Sequence, residues 1–362
     1  MSARQELITV CVLCSMLIIG CSDGRGGGNG SATAPFQELY DQGVDRYLGI
    51  FTPMTSEILE GGVTRHSFGA GEGPLCYTGN EFNMSTRAGA SEELLIFLQG
   101  GGTCGPTSCA AVPVGLPLFN AGILSTDSAT NPAADFDLGY VPYCDGTLFT
   151  GDRDVDSDGD GNNDRFFRGI QNLSASLDVI VSTYPAPSRI LLAGNSAGGF
   201  GVHYALPLVR KLYPEVPIDL VNDSGVGIWN PGTQERLVDY WNCAAFIPAS
   251  CNACIGEDGN LTGYHQYQLD EDENVRLGFI SSTADEVITG SSIDPAVFGA
   301  ELIEAVAELE ESHPERFRSL ISFTDEHTYI IKQFDFVIGD TTVRQWVTDM
   351  LDRNDSWRSA SD

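Results

Sequence analysis

The chain has 362 residues, with 50 Asp and Glu against 19 Lys and Arg, for a formal charge of −31. Nucleic acid and anionic membrane surfaces are poor partners for a field of that sign. With 42% hydrophobic residues, the chain is long enough to bury the core of one large α/β domain with insertions.

The N-terminus reads as an address. Leu7 to Gly20 is mostly apolar, too short for a comfortable membrane span and suited to a signal peptide over residues 1–20. It ends Ile18-Ile19-Gly20-Cys21, which resembles a bacterial lipobox with Cys21 as the lipidated residue; a plain secretory signal is the alternative. Residues 21–35, rich in glycine, form a flexible tether, and 36–362 a single catalytic domain. The expected location is the cell envelope (outer membrane or periplasm) through a lipid anchor, or else the medium. The membrane is met only through that anchor, and the protein is expected to be a monomer. In an exported chain, cysteines read as disulfides. Beyond Cys21 they are Cys76, Cys104, Cys109, Cys144, Cys243, Cys251 and Cys254, an odd set that leaves one over. Zinc would need paired C-x-x-C units, and only Cys251–Cys254 has that spacing.

Glu93 to Leu98 (E-L-L-I-F-L) predicts a buried strand running into Gly100, Gly101 and Gly102, where backbone N–H groups can approach a ligand without Cβ interference. A second strand spans Asp137 to Tyr143 and leads into Y-C-D-G-T-L-F-T-G-D. Within the acidic loop 152–164, Asp154, Asp156, Asp158, Asp160 and Asp164 alternate with glycines and offer the hard oxygen ligands of a structural calcium site; a merely solvated loop is the alternative. Gln171 to Tyr184 then fits a helix with Leu173, Leu177, Ile180 and Val181 on one face.

Arg189 to Val202 reads R-I-L-L-A-G-N-S-A-G-G-F-G-V, an apolar run, then G-x-S-x-G, then a helical face. That is the context of a nucleophile elbow carrying Ser196. Pro207 should kink or end the helix. In the α/β-hydrolase plan, the glycine loop and the residue after the nucleophile form the oxyanion hole, here Gly101, Gly102 and Ala197. Such folds take their triad in the order Ser, acid, His. Asp285 follows the strand Leu277 to Ser281, with Asp223 as the rival and Glu286 and Asp325 as weaker ones. His327, just past the apolar run Leu320 to Phe323, is the favoured histidine; His313 reads as a surface residue, and His265 precedes the acid. Residues 227–270 carry Trp229, Tyr240, Trp241, Phe246, Tyr264 and Tyr267, a cap-like insertion whose aromatics either pack it or, if exposed, stack on sugar rings.

Cys76, G-G-G-T-C with Cys109, Y-C-D-G-T-L-F-T-G-D, F-R-G at Phe167 to Gly169, G-N-S-A-G-G and Asp223-Ser224-Gly225 fall in an order that resembles the pectin acetylesterase/Notum family. The resemblance, to a bacterial member given the lipobox, covers most of Leu75 to Thr328. It implies a mostly parallel α/β-hydrolase sheet with helices on both faces, and serine ester hydrolysis needing no cofactor, with Asp285 and His327 in the family's positions. It also implies the disulfides Cys76–Cys144 and Cys104–Cys109, leaving one bridge and one thiol among Cys243, Cys251 and Cys254. The chain departs at Gln99, where the family usually has Glu, and at Thr103, usually aromatic, which bears on pocket shape. The expected substrate is an acylated carbohydrate, most simply an O-acetyl polysaccharide. A lipase-like carboxylesterase for longer acyl esters, or a non-catalytic calcium-dependent surface binding protein, are the other readings.

Overall fold

The computed structural model describes residues 34–69 and 71–362. The signal segment, Cys21 and all but the end of the tether lie outside the described residues. Pro35–Asp362 packs as one unit.

A short helix α1 (Gln37–Asp41) precedes strands β1 (Thr55–Ile58), β2 (Val63–Phe68), β3 (Phe82–Arg87), β4 (Glu93–Leu98) and β5 (Asp137–Val141). The hairpin β6 (Arg153–Val155) and β7 (Arg165–Phe167) carries the acidic loop. Then come α2 (Gly169–Thr183), β8 (Arg189–Asn195), α3 (Ala197–Leu212) and β9 (Ile218–Asp223). The insertion holds α4 (Thr233–Trp241) and α5 (Thr262–Glu271). The chain finishes with β10 (Val275–Ser282), α6 (Glu286–Ser292), α7 (Pro295–Ser312), β11 (Phe317–Ser322), the hairpin β12 (Val337–Ile338) and β13 (Thr341–Thr342), α8 (Val343–Asp352) and β14 (Ala360–Ser361).

Ten strands form one sheet in the order β1-β2-β3-β5-β4-β8-β9-β10-β11-β14. The run from β5 to β14 is parallel, and β1, β2 and β3 extend it antiparallel. The central strands read as unbroken apolar runs because both faces are covered. Leu94, Ile96, Leu98, Ile190 and Leu192 pack into the core shared with α2 and α3. Their alternates Leu95, Phe97, Leu191 and Ala193 pack with Tyr329, Ile330 and the α8 residues Trp346, Val347 and Met350. Register brings Leu98 beside Gly194, Asn195 beside Asp223, and Asp223 beside Ile280. The carboxyl ends of β4, β8, β9 and β10 therefore open on one edge, where ligands of open α/β sheets bind.

One local expectation fails. The helix α3 runs unbroken through Pro207. A helical proline strands the carbonyl four residues earlier, here that of His203. Gln268 on α5 supplies the missing donor, its Nε2 lying 2.6 Å from that oxygen.

Candidate active site

The turn between β8 and α3 holds Ser196 at φ 54°, ψ −122°, a sparsely populated backbone state that persists only where the surroundings enforce it. The flanking glycines are steric necessities: a Cβ on Gly194 would strike the Gly198 carbonyl, and one on Gly198 the Leu98 carbonyl. The Ser196 N–H donates to the Asp223 carbonyl at 2.7 Å. Ala197 opens α3, so its N–H is one of those a helix leaves without an intrahelical partner.

Ser196 and Ala197 line a cavity of ≈ 120 Å³ together with Gly102, Thr103, Leu148, Phe200, Trp229, Val287 and Ile288, among others. Gly101 does not line it; a Cβ there would strike Tyr143 and Val112. The loop is braced from two sides. Trp241 Nε1 donates to the Cys104 carbonyl at 2.8 Å, and a disulfide joins Cys104 to Cys109. Gln99, one of the chain's departures from the pattern it resembles, accepts the N–H groups of Leu116 and Tyr143 through Oε1, each at 3.2 Å.

Asp285 is the N-cap of α6, its Oδ1 accepting the N–H groups of Val287 and Ile288 at 3.0 Å. Fully buried, it meets His327 Nδ1 at 2.9 Å through Oδ1 and 2.7 Å through Oδ2. An ionised carboxylate only accepts, so Nδ1 carries the proton and Nε2 is left with its lone pair. Val287 and Ile288, whose N–H groups Asp285 caps, are among the residues that line the Ser196 cavity.

The rivals are occupied elsewhere. Asp223 is buried, with Oδ2 accepting from Tyr329 N at 2.7 Å and Ile330 N at 2.9 Å. Burial pushes its carboxyl up to about 6, against the opposing pull of those donors and of His327. Glu286 is exposed, and Asp325 uses its backbone carbonyl to accept from Glu286 N. His313 corrects an expectation: it is buried at the end of α7, 3.5 Å from Asp270 and 3.3 Å from Arg316, because Phe317 and Arg316 turn back onto its carbonyl. His203 on α3 and His265 on α5 meet with their rings 4.0 Å apart, and burial chiefly lowers the pKa values of both.

The acidic loop also differs from expectation. Asp156, Asp158 and Asp160 bring ligand oxygens within 4.8 Å of one another. Asp154 is instead paired with Arg168 at 2.6 and 2.9 Å, and Asp164 receives Ser157 N and Oγ at 2.8 and 2.7 Å. Arginine satisfies one carboxylate and the loop's own closure the other. In the insertion, Trp229, Trp241, Phe246 and Tyr264 are buried, which removes them as exposed platforms for sugar rings. Cys251 pairs with Cys254, Cys76 with Cys144, and Cys243 is free and buried.

Sequence reasoning missed Leu148, Phe200, Val287 and Ile288 as cavity wall. Leu148 and Phe149 sit at positive φ, 55° and 68°, where bulky residues rarely go. Asp145 holds that turn by accepting the N–H groups of Thr147 and Phe149 and the Thr147 hydroxyl. The D-G-T pattern was the available signal for a strained turn.

The pectinacetylesterase family model matches residues 72–236. The fold is similar to that of the Wnt deacylase Notum from Drosophila, with a TM-score of 0.58 and 18% identity over 82% of this chain and 94% of that one. No curated protein matches the chain. Residues 72–236, the stretch that the pectinacetylesterase model matches, hold Ser196, the glycine loop and the disulfides Cys76–Cys144 and Cys104–Cys109.

Proposed function

We propose that the protein is an exported serine esterase that removes short O-acyl groups, acetyl first among them, from an extracellular polysaccharide. The observation that carries this reading is the strained Ser196 opening on a cavity whose wall is built by the cap of the Asp285–His327 pair. His327 Nε2 takes the proton of Ser196 as its oxygen attacks the ester carbonyl, and Asp285 holds the imidazole tautomer. The N–H groups of Ala197 and of the Gly101-Gly102 loop stabilise the oxyanion, each typically worth about 3 kcal/mol. The ester C–O bond breaks as His327 Nε2 gives that proton to the leaving sugar hydroxyl, and water, deprotonated by the same imidazole, then hydrolyses the acyl-serine to the free acid and Ser196, with no organic cofactor.

Cavity size supports a short acyl chain. At ~30 Å³ per water-sized group, ≈ 120 Å³ takes about four heavy atoms. The apolar walls Leu148, Phe200 and Trp229 suit a methyl or short alkyl tail. A fluorophosphonate should label the wild type and not Ser196→Ala; an unlabelled, folded wild type would instead favour a non-catalytic binding protein. Among p-nitrophenyl esters, kcat/KM should peak between two and four carbons, with acetate released from an acetylated glycan. A peak at eight carbons or more, without acetate release, would favour a lipase-like carboxylesterase.

The loop oxygens of Asp156, Asp158 and Asp160 have the hardness calcium selects and lie close enough to share one ion. We extend the proposal to a structural calcium ion there, stapling the β6–β7 hairpin and taking no part in catalysis. Calorimetry should show a higher melting temperature in millimolar calcium than in chelator; equal melting curves would leave the loop merely solvated.

A further inference from the structure

Asp223 does more than occupy the end of β9. Its main chain and its side chain reach two different parts of the site. Its carbonyl accepts the Ser196 N–H at 2.7 Å. Its Oδ2 accepts from Tyr329 N at 2.7 Å and Ile330 N at 2.9 Å, in the segment that follows His327. The next residue repeats the pattern, Ser224 Oγ accepting from Thr328 N at 3.1 Å. Ser224 and Thr328 both sit at positive φ, 60° and 68°, so each side of this junction is held in a state that isolated chain would leave.

The charge is equally telling. A buried carboxylate is normally paired with a cation. Among the described residues, no arginine or lysine forms a salt bridge with Asp223, and its Oδ1 receives only the Ser224 hydroxyl, at 3.2 Å. The cationic charge it can feel is His327 in the protonated state. The acid bonded to the His327 ring is Asp285, through Nδ1; of its neighbours in the chain and on α6, Glu326 accepts from Gln333 and Glu286 is exposed. On α3, His203 has its Nε2 2.9 Å from Asn222 Nδ2, and burial holds it neutral.

We propose that Asp223 is a positioning residue that fastens the His327 loop to the Ser196 turn and supplies a second, uncompensated negative charge favouring the imidazolium formed during acyl transfer. The inference rests on Ser196, His327 and Asp285 acting as a triad. Among the described residues the carboxylate makes no ion pair in the resting enzyme, and through space it favours a proton on His327, so its stabilisation falls on the transition state, where it raises kcat rather than tightening substrate binding.

Asp223→Asn keeps an acceptor for the two N–H groups and removes the charge. With p-nitrophenyl acetate, kcat should fall roughly 100-fold, as small misplacements in such sites do, with KM changed little. The acid limb of kcat/KM should move to lower pH, since the imidazole loses the charge that favours its protonated form. Ser224→Ala, which removes the Thr328 anchor and the hydroxyl on Asp223 Oδ1 but keeps the Asp223 charge, should lower kcat several-fold without moving that limb. It also provides a folded comparison should Asp223→Asn not fold. Wild-type kcat and limb position in Asp223→Asn would overturn the proposal, as would a loss of activity with the limb unmoved, or wild-type kcat in Ser224→Ala where Asp223→Asn does not fold. Failure of the wild type itself to react with fluorophosphonate would overturn the triad reading instead.

Discussion

Asp285 spends one oxygen on two backbone N–H groups and still reaches His327 with both. The cap fixes the carboxylate's direction before substrate arrives, which is what an orienting acid must do. Asp285→Asn should keep the helix cap, because an amide oxygen can still accept. Its NH₂ group would then oppose Nδ1–H or force the other tautomer. The expected result is a fall in kcat of roughly 10³- to 10⁴-fold with little loss of stability, measured by steady-state kinetics beside a urea melt. A melt shifted far to lower urea would mean that the residue serves the fold first. Asp223 has a comparable burial and a different task, and the difference lies in what each carboxylate touches.

At the scale of elements, α3 and α5 are coupled through one glutamine. Gln268 donates to the His203 carbonyl at 2.6 Å and accepts from His203 Nδ1 at 2.7 Å. Gln268→Met keeps the volume and leaves both groups unpaired, at about 1–3 kcal/mol for each. Pro207→Ala gives the His203 carbonyl a helical N–H partner, so the same glutamine substitution should cost less in that background. A double-mutant cycle read by urea unfolding measures the difference, and additivity would sink the idea. This coupling also shows where reading the sequence stops. The elbow, the glycine loop and the strands bearing Asp285 and His327 were legible because each is a local pattern whose sterics fix one conformation. Pro207 was misread because its compensation comes from another helix. His313 was misread because the turn at Arg316 and Phe317 folds back over it. The calcium pattern was read one-dimensionally, and two of its five aspartates turned out to serve Arg168 and Ser157. The cavity wall was invisible because it is assembled from three separate stretches, among which only the D-G-T turn had a local signature.

For the molecule as a whole, the ten-stranded sheet separates two apolar layers, and the site lies at the end where β4, β8, β9 and β10 terminate together. The glycine loop is braced by the insertion through Trp241 and by its own disulfide, so the insertion contributes to the site by support. Three disulfides accord with an exported protein, and among the described residues no helix is long and apolar enough to cross a membrane. Among the described residues, the buried carboxylates Asp219 and Asp272 are each paired with an arginine, Arg276 and Arg210.

Cys243 carries a consequence for how the chain is made. In the native state burial pushes its thiol up to about 12, so almost none of it is thiolate, the form that attacks disulfides. Before α4 docks, the same sulfur has an ordinary thiol's reactivity and lies close in sequence to Cys251 and Cys254. Each round of oxidative folding therefore offers a seventh sulfur that must be rejected, and mispaired chains must be resolved by slow exchange. Cys243→Ala should raise the fraction of reduced, unfolded chain that regains activity in a glutathione buffer, at unchanged specific activity of the folded product. An unchanged yield would mean that the insertion closes over this thiol before oxidation begins.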